Sequence, residues 1–182
     1  FLSDLLDRLD GKRFIISVGE EATRYHDIGT QIDELASILK APVVYSMNSA
    51  NAVNPKSRYN AGHVYLGFND VAYKLMENTD KNTIMICIGC DPGEYQTNQK
   101  NFIVDTAYHF TDLTYQFQTI NGGFGHRFYG RYIKVKGSLD LVLEEIMPEL
   151  RRFVRNRPDV YIPEDLNEGV DSKPAQGYAD KV

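Results

Sequence analysis

Two cysteines, four histidines and a pair of carboxylates beside a glycine are the side chains here whose types and spacing could do chemistry. Cys87 and Cys90 form a single C-x-x-C, which alone cannot complete a tetrahedral zinc site. A redox dithiol would want its second cysteine to open a helix, where the dipole lowers the thiol pKa. Asp91-Pro92-Gly93 follows instead, so Cys87 reads as a buried small hydrophobe and Cys90 as the end of a strand. His26, His63, His109 and His126 are scattered, with no H-x-x-x-H or H-E-x-x-H spacing, and read as surface or hydrogen-bonding residues. No segment resembles a nucleophile elbow. Glu144-Glu145 falls on a predicted helix surface and needs no catalytic reading.

Anion chemistry has one natural place, the turn Gly19-Glu20-Glu21 after the first predicted strand. A dinucleotide binder would cradle its pyrophosphate there, but the G-x-G-x-x-G fingerprint is absent and there is no Walker A sequence. Two carboxylates at that turn oppose the dipole-assisted binding of an anion. Ser46, Asn48, Asn51, Asp91, Glu94, Gln96, Thr97 and Asn98 could gather at the C-terminal strand ends and line a crevice. If a nucleotide binds, the residues expected to hold it are Gly19, Asn48, Gly89, Cys90 and Asp91.

The elements that must position these groups follow from hydrophobic periodicity. Thr83–Gly93 (TIMICIGCDPG) is the clearest: Ile84 to Ile88 is apolar without alternation, as in a strand buried on both faces, and Gly89 to Gly93 forbids continuation. A doubly covered parallel strand ending in a glycine turn is where open α/β sheets place ligand crevices. Arg13–Val18, Val43–Met47 and the alternating Arg131–Lys136 are further strands, the last edge-like. Helices are predicted over Ser3–Leu9, Tyr25–Lys40, from an Asn69 or Asp70 cap to Glu77, and from an N-cap at Ser138 to Phe153, with a kink at Pro148. Asn48–Ala61 reads as a long polar loop. Asn101–Tyr108 and Leu113–Ile120 are β-like, and either two strands or a helix and a strand would suit them. Gly122 to Gly125 reads as a flexible turn. The alternation predicts an α/β fold: an open, mostly parallel six-stranded sheet flanked by helices, Rossmann-like.

The 182 residues suit one domain over residues 1–157, followed by an extended linker over 158–182 rich in Pro, Gly and acids. A net charge of −5 and a pI near 5.4 argue against a nucleic-acid surface. Arg151, Arg152, Arg155 and Arg157 read as a solvated helix end favoured by the dipole. No apolar run approaches the roughly 20 residues of a membrane span. The acidic, amphipathic N-terminus is neither a signal nor a transit peptide, and a cytoplasmic setting is expected. The chain starts at Phe1 without a Met, and the expectation is a piece of something longer. Twelve tyrosines and no tryptophan suit packing against other domains or subunits.

From about Lys12 to Leu150 the order of motifs resembles the central domain of thiamine-diphosphate-dependent enzymes, in the pyruvate and indolepyruvate decarboxylase branch. KRFIISVG is similar to that family's first strand and glycine. QIDELASILKAPVVYSMNSANAVNP is similar to its helix, "PVV" strand and loop before a proline. RYNAGHVYLGFND carries a G-x-x-x-x-G spacing at Gly62 and Gly67. NTIMICIGCDPGEYQTNQKNF resembles the third strand and a D-x-N-T-x-x-F-like loop, with Tyr95, Thr97, Asn98 and Phe102. GRYIKVKGSLDLVLEEIMPEL is similar to the last strand and helix. The stretch from Asp105 to Phe128 departs from the family's I-x-I-D strand, whose acid helps hold adenosine in nucleotide-binding members.

The resemblance implies a scaffold and subunit-contact domain that is not catalytic by itself and works in a homo-oligomer. Thiamine diphosphate and Mg2+ would sit on neighbouring domains, since no G-D-G occurs in this chain. Some members bind FAD or ADP at this domain, so a stand-alone nucleotide-binding (FAD, NAD or ADP) or regulatory module is the alternative.

Overall fold

The computed structural model describes residues 1–64, 70–91, 100–113 and 124–154. Six strands form one sheet: β1 (Arg13–Val18), β2 (Val43–Tyr45), β3 (Asn60–His63), β4 (Thr83–Ile88), β5 (Phe102–Thr111) and β6 (Phe128–Lys136). The helices are α1 (Leu2–Asp7), α2 (Ile28–Leu39), α3 (Asp70–Glu77) and α4 (Leu139–Val154), with short 3-10 turns at Glu20–Arg24, Met47–Ala52 and Phe124–Arg127. The strand order is β3-β2-β1-β4-β5-β6 and every pairing is parallel. This is an open six-stranded, Rossmann-like α/β sheet. None of the described helices is long and apolar enough to cross a membrane.

The central strands are apolar because both sheet faces are covered. Ile16 on β1 lies beside Val43 of β2 and Ile86 of β4, and all three are buried. Leu5 and Leu9, Ile32 and Leu35 of α2, and Leu143 and Ile146 of α4 close one face over Ile16, Ile86, Tyr108 and Phe110. On the other face Ala72 and Met76 of α3 cover Ile15, Val44, Met85 and Cys87. Burying each large side chain contributes about 1.5–3 kcal/mol.

Helix α1 is short for an independent helix and is held by charge as well as by Leu5. Tyr108 Oη donates to Asp4 Oδ2 at 2.5 Å, and Arg131 of β6 reaches Asp4 Oδ1 at 2.9 Å. Arg8 and Lys12 meet Asp105 at 2.9 and 2.8 Å. Hydrogen bonds from Tyr108 and Arg131 keep the Asp4 carboxyl below its usual range, and Lys12 does the same for Asp105.

Several expectations shift in detail. Strand β3 falls at the end of the segment expected to be loop. Its sequence Asn-Ala-Gly-His has no β-branched residue, and Gly62 (φ +98°) accompanies a register shift against β2. Strand β5 continues to Thr111, and β6 starts at Phe128, three residues before the expected Arg131. Strand β2 stops at Tyr45, because Met47 opens a 3-10 turn. Helix α2 starts at Ile28: Asp27 takes φ +58° and Tyr25 is extended, so the residues before it cannot join the helix. Pro148 lies inside α4. Asn69, residues 114–123 and the linker over 158–182 lie outside the described residues.

Candidate functional site at the strand ends

Strands β1, β2 and β3 run outward on one side of the sheet and β4, β5 and β6 on the other, so the order reverses between β1 and β4. Open α/β sheets bind ligands at the C-terminal edge of that reversal. Gly19 ends β1 there and Gly89 ends β4. Gly19 N–H donates to Ile88 O at 2.9 Å, and Glu21 N–H to Gly89 O at 3.1 Å. The first of these bonds continues the β1–β4 ladder, and the second ties the 3-10 turn over 20–24 to the residue that follows β4.

Both glycines serve close backbone approach. A Cβ on Gly19 would overlap Gly89 O and Cys90 Cα and lie 2.7 Å from the Gly89 carbonyl carbon. Gly89 has φ +61°, and a Cβ there would meet Ala22 N at 2.7 Å, Glu21 Cβ at 2.9 Å and Leu139 Cδ1 at 3.1 Å. The chain's own turn packs into the mouth of the crevice.

Of the other residues expected to hold a nucleotide, Cys90 is buried, and its thiol points back to Ser17 O at 3.2 Å. Burial, with Cys87 adding, pushes that thiol well above its usual pKa, so it is not a thiolate nucleophile. Both cysteines are free and buried. Asn48 is exposed and donates to Glu20 Oε2 at 3.1 Å, bridging the ends of β1 and β2. Asp91 is half-buried directly after Cys90. The structure therefore gathers Gly19, Gly89 and Cys90 in direct contact, with Asn48 on the neighbouring β2 side.

Ser46 is buried and spent on Ser49, 2.9 Å between hydroxyl oxygens, and Asn51 is exposed. Glu94, Gln96, Thr97 and Asn98 lie outside the described residues. His26 is exposed beside Asp27, and His63 ends β3. His109 is buried on β5, between Cys87 of β4 and Lys134 of β6. Its Nδ1 lies 2.6 Å from Tyr132 Oη. Burial, with Lys134 adding, pushes His109 down to about 4, and burial raises the Tyr132 phenol. The imidazole is thus neutral near pH 7, and its Nδ1 shares a hydrogen bond with the Tyr132 hydroxyl. This pair holds β5 to β6 and is poorly suited to acid–base work at neutral pH.

What sequence reasoning missed is the inward pairing of Glu21, which it read only as a charge opposing anions. The Glu21 side chain is 5% exposed and turns away from solvent toward the end of β5. Thr111 Oγ1 donates to Glu21 Oε2 and Asp112 N–H to Oε1, each at 2.6 Å. Asp112 in turn accepts from Tyr25 Oη and from Arg24, the latter at 3.3 Å. The polar Thr111-Asp112 ending of β5 was the available signal, but nothing local to it names a partner 90 residues earlier.

Among known proteins, no family model matches the chain. A comparison with curated protein sequences likewise finds no match.

Proposed function

We propose that the chain is the central scaffold and subunit-interface domain of a thiamine-diphosphate-dependent 2-keto-acid decarboxylase or carboligase, and is not catalytic by itself. Its partners in this reading are other domains or subunits of the same enzyme, in a homo-oligomer and a reducing, cytoplasmic setting. The carrying observation is the closed switch point. In the turn after β1, where a dinucleotide binder offers amides to phosphate, Glu21 N–H is bonded here to Gly89 O, and Glu21 and Ala22 pack against Gly89. The same contact favours a scaffold over the alternative, a module binding FAD, NAD or ADP.

Thiamine diphosphate with Mg2+ needs donors converging on a diphosphate. Among the described residues no three His, Cys, Asp or Glu side chains are placed to hold a metal. With the Glu21 amide also engaged, the described residues do not fit the cofactor. The reading assigns it to other domains, where its thiazolium carbon would stabilise a carbanion.

A thermal-shift titration of the 182-residue chain with millimolar ADP and FAD separates the two readings. The expected result is no shift. A rise of about 5–10 °C, as a ligand at roughly a hundred times its Kd gives, would instead favour the nucleotide module.

A further inference from the structure

The edge of the sheet at β6 carries charge of one sign. Among the described residues β6 pairs with β5 alone, so a row of its backbone N–H and C=O groups faces outward. From Arg127 to Lys136 the sequence RFYGRYIKVK holds four cations and no acid. Residues 159–171, which lie outside the described residues, read DVYIPEDLNEGVD, with five acids and no base. We propose that the β6 edge takes this acidic segment from a second copy as an added strand, in a reciprocal exchange between two chains. The proposal rests on the reading of the domain as a subunit contact, and it names the surface that makes the contact.

The two sequences match in pattern as well as in charge. Ile133 and Val135 are half-buried on the face covered by α2 and α4. Tyr132 packs on the opposite face, which Lys134 and Lys136 share by alternation. In an extended segment Val160 and Ile162 likewise share one face, and Asp159 and Tyr161 the other. Laid along β6, the first pair would complete the cover of Ile133 and Val135, with Asp159 on the lysine face. Burial first, and then Lys136, holds the Lys134 ammonium below its usual range, and a carboxylate beside it offsets that repulsion. Main-chain pairing supplies the affinity, and these side chains select the partner. Pro163 is compatible with an outermost strand.

Topology says which chain supplies the strand. β1 reaches β2 through α2 on one face, and β3 reaches β4 through α3 on the other, so both crossovers have the same hand. α4 lies on the α2 face. A parallel strand of the same chain outside β6 would therefore need the opposite hand, which such crossovers rarely take. An antiparallel one is out of reach. α4 carries the chain back about 24 Å from the end of β6, and the link from Val154 to Asp159 spans at most about 18 Å. Pairing two β6 edges directly would set like charges from Arg131 to Lys136 against one another. The acidic segment of a second copy meets none of these obstacles.

Sedimentation velocity of the 182-residue chain over a range of concentrations tests the exchange. The expected result is a dimer that weakens as salt rises. Lys134→Glu with Lys136→Glu in one variant, and Asp159→Lys with Glu164→Lys in another, should each weaken association about tenfold or more. Mixing the two variants should restore the dimer, because each segment then meets an edge of opposite sign. Reversals that leave the dimer intact, or a mixture that does not restore it, overturn this contact and leave the subunit-contact reading standing. A chain that stays monomeric at every concentration overturns both. Should either variant fail to fold, a peptide of residues 158–171 added to the parent chain decides. It is expected to dissociate the dimer, and a dimer indifferent to it overturns the proposal.

Discussion

Gly19→Ala is expected to destabilise the domain by about 3 kcal/mol, the upper end of the usual cost of overpacking. Gly19 has φ −107°, which any residue adopts, so the cost is purely one of space. The added methyl meets the backbone of Gly89 and Cys90, which no rotamer change can relieve. Either β1 and β4 part at their ends or the turn over 20–24 lifts, and both break amide bonds to β4. Gly11→Ala is the matched control. A Cβ there meets nothing within 4 Å, and only the left-handed φ of +68° is penalised, at about 1–2 kcal/mol. Urea unfolding of the three proteins should rank Gly19→Ala least stable. Equal midpoints for the two variants would mean that the strand ends are not in contact.

Ile86→Ala should cost about 2–5 kcal/mol, a large share of the roughly 5–15 kcal/mol that stabilises a domain. Ile86 is fully buried at the centre of β4, between Ile16 of β1 and Tyr108 of β5. Close neighbours on both sides limit how far the cavity can collapse. Leu141, exposed on α4, is the comparison, and its replacement by Ala should change stability by less than about 0.5 kcal/mol. A loss below 1 kcal/mol for Ile86→Ala in the same urea experiment would remove β4 from the sheet's core.

Both expectations start from the segment most legible in the sequence. The unbroken apolar run of β4 announced a strand buried on both faces, and Gly89 its end, because double coverage and a turn each leave a local mark. The periodicity of α2 and α4 was equally readable, since each lays one apolar stripe on the sheet. Strand β3 was not readable. Its Asn-Ala-Gly-His forms a strand only because β2 offers it an edge, and that is tertiary information. The extent of β5 was ambiguous for a related reason: Phe102 to Thr111 is buried at most positions, so neither period stands out.

The candidate site was legible as a place and not as an arrangement. Gly19 and Gly89 could be named as strand-ending glycines, but not as partners in contact. The carboxylates after β1 read as a deterrent to anions. Glu21 instead folds inward to Thr111 and Asp112, a pairing fixed by the strand order β1-β4-β5 and by no local pattern. His109 looked like one scattered histidine among four, and only its burial in the sheet beside Lys134 reveals why it is neutral.

The proposed function has this domain support thiamine-diphosphate chemistry carried out elsewhere in the same enzyme. The most direct measurement is turnover of 2-keto acids, with thiamine diphosphate and Mg2+ supplied. It should be made on the 182-residue chain and, in parallel, on the complete product of the reading frame that encodes it. The account predicts cofactor-dependent turnover by the complete product and none by the chain alone. Turnover by the isolated chain, or a complete product indifferent to the cofactor, would contradict it.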